Sequence, residues 1–117
     1  MRLRALIKAV NTFNEREIIM NVNKKLNGDE LVFEIEGNID SSTAPALYDE
    51  VNRSLDGIKS LIFDFSKVDY ISSAGLRVLL AAYKIMSKQG KMVICNANEN
   101  VMDIFQITGF TNFLTIK

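Results

Sequence analysis

Three segments in the middle of the chain constrain its fold more than any other feature. Residues 58–65 contain the apolar run Leu61-Ile62-Phe63, and residues 92–95 are a second short apolar run. Between them, residues 73–88 place Leu76, Leu79, Leu80, Tyr83 and Met86 on one helical face, with Arg77, Lys84 and Lys88 on the other. Two strands joined through a helix pair in parallel, since a hairpin leaves no room for the crossover. Leu61-Ile62-Phe63 shows no polar alternation, which predicts a strand at the centre of the sheet, covered on both faces.

The flanking patterns extend this unit. Residues 21–26 alternate in a half-exposed way, and Asn27-Gly28-Asp29 supplies turn chemistry for a hairpin. Leu31, Phe33 and Ile35 then alternate with Val32, Glu34 and Glu36, the period of a strand with one face in the core, and Gly37 is expected to end it. Asn38-Ile39-Asp40-Ser41-Ser42-Thr43 is rich in capping side chains, and Pro45 suits a first helical turn, so a helix is expected up to Asp56-Gly57. Residues 66–71 read as a connection. Val101, Ile104 and Phe105 mark a last helix, and residues 113–116 a final strand. The series predicts one α/β domain with a mixed, mostly parallel β-sheet of about five strands and helices packed against it.

Residues 1–20 stand apart as an N-terminal extension to a domain over residues 21–117. Leu3, Leu6, Ile7 and Val10 fall at helical spacing, so the extension reads as disordered or as a short amphipathic helix, or as sequence upstream of a start at Met20. Lys8 interrupts its apolar run, which makes it a poor signal peptide, and no apolar stretch reaches the roughly 20 residues that cross a bilayer.

Composition removes several function classes. Fourteen Lys and Arg balance fourteen Asp and Glu, so no net field favours nucleic acid or an anionic membrane. With no histidine and a single cysteine, Cys95, the usual soft metal sites and every histidine-based triad are ruled out. Cys95 sits in the run Met92-Val93-Ile94-Cys95 and reads as a small core hydrophobe.

The stretch most informative about function runs from Leu61 to Arg77, a buried strand followed by a loop and a serine-led helix. Ser72 or Ser73 can cap that helix, worth about 1 kcal/mol. Phosphate at the same place adds roughly 1.5 to 2 negative charges where unpaired amides tolerate an anion, so it changes the surface without unfolding the core. Ala74 and Gly75 are small enough to let a partner approach, or alternatively to let helix and strand pack closely. Arg77 follows Ser73 by four residues and shares its helix face, as a phosphate neighbour, a contact for a partner's acid, or a plain solvated side chain.

Asp64-Phe65-Ser66, Val68 and Tyr70-Ile71-Ser72-Ser73-Ala74-Gly75-Leu76 resemble the signature of STAS-domain anti-sigma factor antagonists. Gly37-Asn38-Ile39-Asp40 resembles the family's earlier Gly-x-x-Asp loop, and Ile107-Thr108-Gly109-Phe110 its last helix-to-strand turn. The resemblance implies that Ser73 is the phosphorylated serine, with Ser72 the second choice because it replaces an aspartate common in the family. It also implies that Asp40 lies beside the partner's nucleotide-binding surface; with it, Ser72, Ala74, Gly75 and Arg77 are the candidate partner-binding residues. That partner would be an anti-sigma factor with serine kinase activity, itself holding ATP and Mg, and a PP2C-type serine phosphatase would reset the switch. The protein would be cytoplasmic, need no cofactor of its own and free a sigma factor when unphosphorylated.

Other readings compete less well. A nucleophilic serine elbow wants Gly two residues either side of the serine, but Ile71 stands at the first of these places and no histidine exists to act as base. A receiver phosphorylated on Asp64 needs acids on an early strand, and Val22-Asn23-Lys24-Lys25 offers none. An unmodified STAS interaction module, acting as a scaffold in a signalling complex, remains the alternative.

Overall fold

In the computed structural model, which describes residues 2–10 and 17–117, six strands form one sheet in their sequence order. The strands are β1 (Arg2–Val10), β2 (Glu17–Asn27), β3 (Glu30–Ile39), β4 (Ser60–Ile71), β5 (Lys91–Cys95) and β6 (Thr115–Ile116). The helices are α1 (Ala44–Ser54), α2 (Ser73–Met86) and α3 (Glu99–Ile107), with a 3-10 turn at Phe110–Asn112. Pairing is antiparallel from β1 to β3 and parallel from β3 to β6.

Each helix is therefore a crossover to the next strand in one direction, and right-handed crossovers repeated this way put every helix on the same face. The burial pattern agrees. Leu31, Phe33, Ile35, Leu61, Phe63 and Phe65 are buried, while Val32, Ile62 and Val93 on the other face are only half-buried. This corrects the expectation that the central strand is covered on both faces. The core is an aromatic stack on the helix side: the Phe33 and Phe63 rings lie 5.4 Å apart, and Phe65 bridges Phe63 and Phe105 at 6.3 and 6.2 Å.

Two boundaries differ from the sequence expectation for one reason. Gly37 does not end β3; its φ of 110° absorbs a bulge, and the register with β4 shifts between Glu34 and Glu36 and again between Gly37 and Asn38. Both strands then continue, as far as the pair Ile39 and Ile71. Residues 66–71 belong to β4, but their buried positions, Val68 and Ile71, are three apart, which masks the strand period.

The N-terminal segment also departs from expectation. Arg2–Val10 is neither a short helix nor disordered but a strand, paired with β2 in a register that sets Leu3 beside Lys24 and Ile7 beside Met20. β3 covers only Asn21 to Asn27 of β2, and β1 satisfies the backbone groups on β2's other edge.

Candidate functional site

The parallel strands β3 and β4 end together, and their loops meet. The Ser72 amide donates to the Ile39 carbonyl at 2.8 Å, so the residue before Ser73 is tied to the residue before Asp40. Sequence distance hides this juxtaposition; the last rung of a parallel ladder makes it.

The two serines have different tasks. Ser72 is the N-cap of α2, extended in backbone, with Oγ accepting from the Gly75 amide at 3.4 Å and its carbonyl accepting from the Leu76 amide at 2.9 Å. Ser73 is the first helical residue, is exposed, and its hydroxyl is engaged by no hydrogen bond among the described residues. The first turn of α2 carries no acid, leaving the positive end of the helix uncompensated.

Asp40 serves the other loop. Its carboxylate accepts from the Ser42 hydroxyl at 2.6 Å and from the Ser42 and Thr43 amides at 2.9 and 3.2 Å. Burial pushes its pKa up, but these donors outweigh burial and hold the carboxyl below its ordinary value. Thr43, offered by the sequence only as one of several capping side chains, is fully buried and locks the loop, accepting from the Asp40 amide and donating to the Asn38 carbonyl. Asn98 was missed. It caps α3 and donates to the Val68 and Asp69 carbonyls, anchoring the β5 to α3 connection at the same edge. The only sequence signal for either residue is a capping side chain just ahead of a helical pattern.

Ala74, Gly75 and Arg77 separate once side chains are in place. Gly75 is buried, and a Cβ there would lie 2.6 Å from Ile71 Cγ1 and 2.7 Å from Ile39 Cγ2. Of the two uses open to Gly75, close packing of helix against strand is the one this geometry requires. Ala74 and Arg77 instead border a groove between α1 and α2 that also contains Pro45, Tyr48 and Val78. Tyr48 stands out in the sequence only as an aromatic on the polar side of α1. Asp64 lies elsewhere, on the open sheet face, where it accepts from the Ser66 amide at 3.0 Å and from Asn96 Nδ2 at 3.1 Å.

The STAS domain model matches residues 21–117. The chain belongs to the STAS-domain family of anti-sigma factor antagonists. It is 36% identical over 84 residues to BtrV of Bordetella bronchiseptica, covering 70% of this chain and 72% of that protein. To the anti-sigma-B factor antagonist of Bacillus subtilis it is 30% identical over 99 residues, covering 84% and 91%. Among solved structures, an anti-sigma factor antagonist from Mycobacterium paratuberculosis superposes with a TM-score of 0.76 at 23% identity, over 83% of this chain and 84% of that one. In this STAS domain the Ser-x-Gly-Leu run, Ser73-Ala74-Gly75-Leu76, is the first turn of α2, and Asp40 is the hub of the neighbouring loop.

Proposed function

We propose that this STAS protein, when unphosphorylated, binds an anti-sigma factor that is also a serine kinase, and so releases a sigma factor. Phosphorylation of Ser73 ends the complex, and a PP2C-type phosphatase restores it. The observation that carries this reading is the division of labour between adjacent serines: Ser72 is occupied in capping, while the Ser73 hydroxyl is exposed and unengaged at the positive end of a helix. An acceptor so placed can be modified without breaking a bond the fold needs.

In the transfer, Ser73 Oγ bonds to the γ-phosphorus of the ATP that the kinase holds with Mg. The bond from that phosphorus to the bridging oxygen breaks, ADP leaves, and the hydroxyl proton passes to a base of the kinase. The helix amides tolerate the resulting dianion, and a docked surface meets a like or unsolvated charge that costs several kcal/mol. The protein acts by binding rather than catalysis, and its partners place it in the cytoplasm. Among the described residues no helix is long and apolar enough to cross a membrane.

The test is incubation with ATP, Mg and the candidate kinase, mapping the product by mass spectrometry. Phosphate on Ser73 is expected; none on Ser72 or Ser73 removes the switch and leaves an unmodified scaffold. Titrating the kinase with Ser73→Ala and Ser73→Asp should show binding by the first and loss of binding by the second, whereas equal affinity contradicts the reading.

A further inference from the structure

The groove between α1 and α2 is lined mainly by apolar residues, with Ser41 also in its lining and a single cation. Pro45 and Tyr48 form one wall, Ala74 and Val78 the other, and Tyr48 keeps 45% of its surface exposed. Arg77 borders the same groove, is exposed, and has no ion pair among the described residues. An unpaired guanidinium beside an uncovered apolar surface suits a partner segment that is apolar with one carboxylate.

Arg77 also stands in a second relation. It follows Ser73 by four residues on α2, which brings their Cβ atoms within roughly 6 Å. Long helical side chains lean back over the preceding turn, so its guanidinium can sweep across Ser73. Resting on the reading of Ser73 as the phosphate acceptor, we propose that Arg77 is a counter-ion used by two anions in turn. In the unphosphorylated protein it pairs with a carboxylate of the anti-sigma factor segment lying in the groove. After phosphorylation it pairs with the phosphate on its own helix, and the groove loses the cation that selected its occupant. The switch is then a competition for one arginine as well as a repulsion, and it requires no movement of the core.

The phosphate half is testable without any kinase. Phosphoserine is installed at position 73 by codon suppression in the full chain, and the second phosphate pKa is read by 31P NMR titration in the wild type, Arg77→Ala and Arg77→Lys. Wild type should titrate about half a unit below Arg77→Ala, with Arg77→Lys between them. The helix amides and Asp40 are common to all three proteins, so the differences isolate residue 77. The groove half is read by titrating the unphosphorylated proteins with the kinase, where Arg77→Ala should bind about tenfold more weakly and Arg77→Lys recover part of the loss. Coincident phosphate titrations, or an unchanged affinity of Arg77→Ala, would overturn the proposal. A kinase that leaves Ser73 unmodified defeats the proposed function instead, and the NMR result stands separately from it.

Discussion

At Gly75 a single methyl group measures how tightly the site is built into the core. Gly75→Ala should gain the better helix propensity of alanine, up to about 1 kcal/mol, yet lose more. The added carbon collides with Ile39 and Ile71, and also lies 3.0 Å from the Ile39 carbonyl oxygen. A net loss of roughly 1 to 2 kcal/mol in urea unfolding is expected, and a stabilised variant would contradict the packing described. Ser72→Ala should cost about 0.5 kcal/mol, at the low end for a cap because its bond to the Gly75 amide is 3.4 Å long. The serine-led helix start was legible in the sequence because caps are local. Which serine caps was not, because either hydroxyl satisfies the pattern and only the direction of chain entry from β4 separates them.

Elements are joined by few but well-placed polar contacts, and the clearest links β2 to α1. Glu50 is buried on α1; its carboxylate accepts from Lys24 Nζ at 2.7 Å and from Arg53, while the same Lys24 donates to Ser54 Oγ. Burial raises the Glu50 pKa, but the two cations more than offset it and hold the carboxyl below its ordinary value of 4.5. Asp40 and Asp64 are depressed in the same sense by their hydrogen-bond donors, again against burial. A group whose pKa is lower folded than unfolded lends stability above its unfolded value and loses it as pH falls through the folded one. The urea midpoint should therefore be level near neutrality and drop progressively below about pH 4.5. In Glu50→Gln the drop should be shallower, and a curve parallel to the wild type would sink this account. Nothing in the sequence pairs Lys24 with Glu50, since 26 residues separate them and only the β2-β3-α1 packing brings them together.

For the whole molecule, the one-sided helix layer makes neighbouring residues of β4 unequal. Phe63 is fully buried among rings on the helix side, whereas Ile62 is half-buried on the open face. Phe63→Ala should cost about 3 to 5 kcal/mol, and Ile62→Ala no more than about half of that; similar losses in urea unfolding would mean that the second face is covered too. The apolar run holding these two residues is what the sequence shows, and it does not distinguish a strand covered twice from one covered once. By itself the sequence determined the order of strands and helices from Asn21 onward, a serine-led start to α2 and the family signature, because periodicity and capping are properties of residues a few places apart. Only the tertiary structure decided that β1 joins the sheet, that a bulge at Gly37 carries β3 and β4 on to Ile39 and Ile71, that Gly75 is sunk into the core, and that Asp40 and Ser73 share one edge. Each of these depends on backbone groups far apart in the chain finding hydrogen-bond partners in one another, and no local pattern records which partner a strand will meet.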